Sequence, residues 1–139
     1  MSKKLRVGVI GYSSQGFDVN EARRIIRNIF NTFEKKEGKN VNIVSGLTNL
    51  GIPKIAYEES VKRGWTTTGI ACKKAKEFNL FDVDNVMIKG KEWGDESKLL
   101  LDNIDILIKV GGGKQSEKEL EKAKDMGIKT FSFKLNSII

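Results

Sequence analysis

The segment from Asp105 to Glu119 is the part of this chain best suited to bind an anion. An apolar run ends at Val110 and leads into three glycines, after which come a lysine, an amide and a hydroxyl: Gly111, Gly112, Gly113, Lys114, Gln115 and Ser116. Glycines without Cβ atoms allow positive φ and let a ligand approach the backbone. Ser116 is predicted to begin a helix, whose first N–H groups have no intrahelical partner and lie at the positive end of the helix dipole. The segment therefore predicts a site for a phosphate or a carboxylate.

Trp93, Asp95 and Glu96 form a second group that could do chemistry. The acids could act as an acid–base pair, with Trp93 as a stacking platform for a base or a ribose. Alternatively, the acids begin the helix predicted from Ser97, where negative charge suits the dipole, and Trp93 packs on the core. The sequence favours neither interpretation.

Composition limits the remaining chemistry. The chain has no histidine and one cysteine, Cys72, so histidine-dependent triads and the usual zinc ligand sets are excluded. Acid–base work would fall to carboxylates, lysines or tyrosines. Cys72 is expected to pack as a small hydrophobic residue, and no metal is expected.

Alternating strand and helix patterns must position these groups. Apolar runs predict strands at 5–10, 41–45, 66–71, 86–88, 104–110 and 128–133. Helical periodicity or helix start and stop signals predict helices at 21–36, 53–64, 73–78, 97–103 and 116–126. This alternation predicts an α/β fold with a mostly parallel sheet of five to six strands and helices on both faces. No linker or repeat divides residues 1–139, so one domain is expected.

Ligands of such sheets bind at the carboxyl ends of the strands, where the strand order reverses. Four polar, glycine-rich loops follow predicted strands, at 11–16, 45–51, 90–97 and 111–116. Besides the residues already named, they contribute the candidate ligand-binding residues Gly11, Tyr12, Ser13, Ser14, Ser45, Gly46 and Thr48. Tyr12, Ser13 and Ser14 either bind the ligand or satisfy turn amides. None of the loops matches a Walker A loop or a dinucleotide fingerprint after the first strand.

The net charge of +7 does not by itself indicate a nucleic-acid partner. Residues 1–70 carry 12 basic and 6 acidic side chains, and residues 71–139 carry 13 and 12. The basic clusters lack the interleaved aromatic residues that stack bases, so a nucleic-acid partner is not expected. No apolar run reaches the roughly 18 residues of a membrane span, and a soluble, cytoplasmic protein without a membrane partner is expected.

The order of these motifs resembles the SLOG superfamily, which includes the LOG phosphoribohydrolases (once called lysine decarboxylases) and the molybdenum cofactor carrier proteins. The segments that carry the resemblance are 11–14, 45–51, 69–71 and 111–119. In LOG enzymes the last motif is similar to P-G-G-x-G-T-x-x-E. Gly112, Gly113, Ser116 and Glu119 match its glycine pair, hydroxyl and acid, while Gly111 and Gln115 replace its proline and third glycine.

The resemblance implies a Rossmann-like, three-layer α/β/α fold, a homodimer, and a nucleotide or molybdopterin-type ligand whose phosphate lies against the glycine turn. LOG enzymes cleave the N-glycosidic bond of nucleoside monophosphates with the motif glutamate, here Glu119, and an arginine before the fifth strand. The corresponding segment from Trp93 to Lys98 has no arginine. Glu119 also has a structural interpretation, because Ser116 and Glu119 have the spacing of a capping box.

Three functions follow from these observations. The first is binding of a phosphorylated ligand such as a nucleotide, an ADP-ribose-type metabolite or a molybdopterin-type cofactor. The second is a phosphoribohydrolase-like N-glycosidase that uses Glu119, with Asp95 or Glu96 as a partner. The third is an interaction module with a vestigial pocket.

Overall fold

A six-stranded, fully parallel sheet forms the centre of the structure, a computed structural model that describes residues 3–13 and 16–135. The strand order is β4-β3-β2-β1-β5-β6, and every neighbouring pair is parallel. The strands are β1 (Leu5–Gly11), β2 (Val41–Ser45), β3 (Thr66–Ala71), β4 (Asn85–Ile88), β5 (Ile106–Val110) and β6 (Lys129–Phe133). The predicted parallel α/β fold is confirmed.

Four α-helices connect the strands within the described residues. They are α1 (Val19–Glu37), α2 (Gly51–Arg63), α3 (Ser97–Asp102) and α4 (Lys114–Asp125). A 3₁₀ helix, Lys73–Glu77, lies where a helix was predicted after β3. Helix α1 begins after Asp18, whose side chain accepts a hydrogen bond from the Glu21 N–H, and α2 ends at Gly64 in the left-handed conformation. None of these helices is long and apolar enough to span a membrane.

The helices cover both faces of the sheet, and the two largest apolar clusters of the described residues lie on opposite faces. Helices α1 and α2 pack their apolar residues, such as Ile26 and Phe30, on Val7 and Val9 of β1. Helices α3 and α4 pack on the opposite face, where Leu120 belongs to the same cluster as Ile10 and Leu107. Val7 and Val9 of β1 are therefore buried on one face and Ile10 on the other, which explains why the buried stretch from Val7 to Ile10 has no polar side chain. The result is three layers, as the resemblance implied.

The strand order reverses between β1 and β5. These two strands are neighbours, with Gly11 opposite Val110 in register. The chain continues from β1 to β2 on one side and from β5 to β6 on the other. A parallel sheet leaves a crevice at the carboxyl ends of two such strands. The first glycine loop and the Gly111–Gly113 turn meet at this crevice.

Candidate functional site

A cavity of about 380 Å³ lies at this crevice. It collects most of the predicted site residues from four separate loops: Gly11, Tyr12, Ser13, Ser45, Gly46, Thr48, Trp93, Glu96, Gly113, Lys114, Gln115, Ser116 and Glu119. Asp95, Gly111 and Gly112 do not line it, and Ser14 lies outside the described residues. Residues that lie up to about a hundred positions apart in the sequence thus line the same cavity.

The three glycines of the turn have different surroundings. Gly111 has φ +62°, and a Cβ there would lie 2.5 Å from Cε2 of the Tyr12 ring. Gly112 has φ +109°, and its Cβ would lie 2.8 Å from both Cβ and Oγ of Ser116. A Cβ on Gly113 would meet nothing within 4 Å. The first two glycines are therefore needed for the turn and its packing behind the cavity, and Gly113 is the glycine whose backbone is open to a ligand.

Helix α4 begins two residues earlier than predicted. Its first residue is Lys114, and Gly113 occupies the N-cap position, where it supplies no side-chain hydrogen bond. The capping-box interpretation of Ser116 and Glu119 is wrong, because the left-handed Gly111 and Gly112 let the chain enter the helix before Ser116. The Ser116 hydroxyl instead donates to the Gly11 carbonyl over 3.3 Å and ties β1 to α4. Within the described residues, no side chain caps the first N–H groups of α4, which begins beside the cavity.

Glu119 is a buried carboxylate in the cavity wall, with 7% of its surface exposed. Its Oε2 atom accepts from the Ser97 hydroxyl at 2.6 Å and from Gln115 Nε2 at 3.3 Å. Burial raises the pKa of Glu119, the hydrogen bonds from Ser97 and Gln115 oppose this, and the nearby charge of Glu96 adds to the increase. A carboxyl with a raised pKa in a cavity is suited to hold or transfer a proton.

Glu96 lies directly before α3 and is also buried, with 6% of its surface exposed. Its Oε1 atom accepts from the Gly94 N–H at 2.7 Å. Burial raises the pKa of Glu96, and the N–H bond from Gly94 opposes the increase. Glu96 and Glu119 are therefore two buried carboxyls that both line the cavity.

Asp95 and Trp93 have different positions from this pair. The Asp95 carboxylate accepts from the N–H groups of Lys91 at 3.0 Å and Glu92 at 2.9 Å, so it closes its own turn. Trp93 is 47% exposed, and its ring centroid lies 5.8 Å from that of the equally exposed Phe78. The alternative that Trp93 packs on the core is wrong. Two exposed rings form an aromatic rim, Trp93 and Phe78, and Trp93 lines the cavity.

Buried hydroxyls hold the loops that follow β1 and β2. The Ser45 hydroxyl donates to the Val9 carbonyl at 2.6 Å. The Tyr57 hydroxyl, which the sequence analysis missed, contacts the carbonyls of Gly46 at 2.7 Å and Thr68 at 3.0 Å. Tyr57 lies on α2 and is fully buried, so it fixes the carboxyl ends of β2 and β3 relative to that helix.

Sequence reasoning also missed the apolar part of the wall. It consists of Val9, Ile10, Leu47, Pro53, Ile70, Ala71, Ala75 and Leu100. The available signal was the end of β3 at Ile70 and Ala71, which a parallel sheet brings to the same edge as the other strand ends. Among the described residues that line the cavity, Lys114 is the single cation. No group of three or more metal-binding side chains occurs in the described part of the chain.

The fold and the cavity together define a Rossmann-like α/β protein with a cavity at the point where its strand order reverses. Solved structures share this fold. The Moco carrier protein from Chlamydomonas reinhardtii aligns with a TM-score of 0.77 at 17% identity, over 94% of this chain and 76% of that one. The molybdenum cofactor binding protein from Rippkaea orientalis gives a TM-score of 0.75 at 17% identity, over 95% and 77%.

The protein TM1055 aligns with a TM-score of 0.73 at 23% identity, over 91% of this chain and 72% of that one. No protein-family model and no curated protein sequence matches this chain. The structural similarity confirms the fold that the SLOG resemblance implied.

Proposed function

We propose that this chain binds a phosphorylated, nucleotide-like small molecule or cofactor, of the nucleotide, ADP-ribose or molybdopterin type, in the cavity at the carboxyl edge of the sheet. The observation that carries the proposal is the uncapped start of α4 beside that cavity. Gly113 offers open backbone there, and Lys114, Gln115 and Ser116 all line the cavity. A helix N-terminus with free N–H groups stabilises an anion by hydrogen bonds and by the helix dipole.

The distribution of charge in the cavity favours one orientation of the bound ligand. Lys114 and the start of α4 supply positive potential at one position, while Glu96 and Glu119 would repel a phosphate wherever they are ionised. We therefore propose that the phosphate binds at the glycine turn and that the less charged part of the ligand lies toward the acids and the aromatic rim. The molybdenum cofactor proteins that share this fold support a cofactor-type ligand.

Substitution of Gly113 tests this function. Gly113→Asp places a carboxylate where a Cβ has free space, so the fold should persist while phosphate binding is lost through repulsion. Asn28→Asp is the matched control, because it adds the same charge on an exposed position of α1, a helix that contributes no described residue to the cavity. Isothermal titration with nucleoside monophosphates, ADP-ribose and molybdopterin should show binding lost only in the Gly113 variant. Equal affinity in both variants would contradict the proposal.

The two buried carboxyls of the cavity, Glu96 and Glu119, favour a second candidate function, hydrolysis of a nucleoside monophosphate at its N-glycosidic bond. Glu119 would stabilise the ribosyl cation or activate the attacking water, and the released base would take a proton. Release of free base should then disappear in Glu119→Gln and persist in Glu121→Gln, an exposed position on the same helix. Absence of base release across a broad panel of nucleotides would remove this candidate.

A further inference from the structure

The cavity presents hydrogen-bond acceptors where the heterocycle of a ligand would lie. Glu96 and Glu119 line it together, and their carboxylates form an acceptor group. Both protein hydrogen bonds to Glu119 fall on Oε2, so its Oε1 is left for a donor from outside, as judged over the described residues. Ionised carboxylates accept hydrogen bonds and donate none, and a carboxylate with 7% exposure has little water to replace a missing partner.

Glu119 of the acceptor group is separated along helix α4 from the proposed phosphate position at the start of that helix. Glu119 follows Lys114 by five residues on α4, which corresponds to roughly 7 Å along the helix axis at about 1.5 Å per residue. The exposed ring of Trp93 lines the same cavity and offers an aromatic face for a planar ring system. The cavity therefore has an anion position, an acceptor group and an aromatic face.

We infer that the ligand carries a planar heterocycle with adjacent ring N–H and exocyclic amino donors, the edge that guanine and pterin rings share. This inference rests on the proposed phosphate-binding function of the same cavity. The two donors of that edge lie side by side and match the two oxygens of a carboxylate. In adenine, the exocyclic amino group lies beside ring nitrogens that accept hydrogen bonds. A carboxylate oxygen that faces such a nitrogen finds no donor and is repelled. The acceptor group thus selects the guanine or pterin edge over adenine.

Comparison of four ligands tests this inference. Isothermal titration is carried out with GMP, IMP, AMP and 6-hydroxymethylpterin phosphate. IMP differs from GMP only by lacking the 2-amino group, and the pterin separates a cofactor-type ligand from a nucleotide. We expect GMP, the pterin or both to bind about tenfold more tightly than IMP and AMP, within the discrimination that paired contacts to a base edge provide. Equal binding of all four, or tighter binding of AMP or IMP, overturns the inference and leaves phosphate binding intact.

Variants distinguish the acceptor group from the phosphate position. Glu119→Gln should reduce the affinity for the preferred ligand about tenfold and leave AMP unchanged, whereas Glu121→Gln on the exposed side of the same helix should change neither. An unchanged preference in Glu119→Gln contradicts the assignment. If none of the four ligands binds, the proposed function fails together with the inference.

Discussion

At the scale of single residues, Glu59 is the most strongly constrained charge in the structure. Its side chain is 1% exposed and accepts hydrogen bonds from Arg23, Arg27, Lys62 and Arg63. Burial acts to raise the pKa of Glu59, but the bonds from the arginines and the lysine outweigh it and lower the pKa from 4.5 to about 2. The cluster joins α1 to α2 on the face of the sheet that carries the α1–α2 core.

Glu59 should make the protein less stable in acid. Because its folded-state pKa is lowered, its contribution is complete above about pH 4.5 and is lost as the pH falls toward 2. Glu59→Gln should lower the free energy of unfolding at pH 7 by about 3 kcal/mol, since it removes the carboxylate that lies 3.1 Å from buried Arg63 and leaves Arg63 the longer ion pair of 3.7 Å with Glu34. It should also flatten this part of the pH profile. Denaturant unfolding between pH 2 and 7 measures both effects.

Glu58→Gln is the control for that substitution. Glu58 precedes Glu59 on α2 and pairs with Arg23 of α1, but its side chain is 34% exposed, and a pair that is open to solvent contributes only about 0–1 kcal/mol. A Glu58 variant as unstable as the Glu59 variant, or a Glu59 variant with the wild-type pH profile, would contradict the role given to the buried cluster.

Single residues also show where prediction from sequence ends. Glu119 could be singled out, since its spacing from the glycine turn is visible in the chain. That Ser97 donates to it could not be predicted, because the contact depends on the packing of α3 against α4. Glu59 gave no signal either, since its cations come from two helices and the sequence shows only ordinary charged helix surfaces.

Among the structural elements, the turn before α4 contains two glycines whose conformation and packing are constrained, Gly111 and Gly112, and one whose backbone is open to the cavity, Gly113. Gly112→Ala should destabilise the fold by about 2 kcal/mol. A positive φ is energetically unfavourable for alanine, and the added Cβ would lie too close to Ser116. Gly113→Ala should change stability by about 0.5 kcal/mol or less, since its φ is −102° and its Cβ meets open space. Thermal unfolding of both variants measures the difference.

Equal stability of the two variants would mean that the close approach of Gly112 to Ser116 is not what fixes the turn. The comparison is sharp because the glycines are neighbours and the substitution is the same. Their roles cannot be separated from sequence, where three consecutive glycines are equivalent.

Most element types were predictable because their signals are local. Apolar runs predicted the strands, and Gly64 correctly marked the end of α2. The errors occur where tertiary contacts decide. Strand β5 begins at Ile106 instead of Ile104, since the Asp105 carboxylate accepts from the backbone and side chain of Arg6. Helix α4 begins at Lys114 instead of Ser116 because of the left-handed glycines.

At the scale of the whole molecule, alternation of strands and helices predicts a parallel sheet but not the order of its strands. The order depends on which side of β1 each crossover takes, and no single segment encodes that choice. The observed order brings the loops after β1 and β5 together and forms the cavity between them. The contribution of Ala75, from the 3₁₀ helix, to the apolar wall could not be assigned from sequence for the same reason.

We propose that this cavity binds a phosphorylated ligand with a planar heterocycle. Thermal unfolding of the protein tests this proposal, with guanine nucleotides, other nucleoside monophosphates, ADP-ribose, NAD and a stable pterin phosphate as ligands. A ligand at about 100 times its dissociation constant should add about 2.7 kcal/mol to the free energy of unfolding. That corresponds to a rise in Tm of roughly 5–10 °C at this chain length. We expect such a rise with guanine or pterin phosphates and its loss in Gly113→Asp. An unchanged Tm with every ligand, or an equal rise in the variant, would contradict the claim.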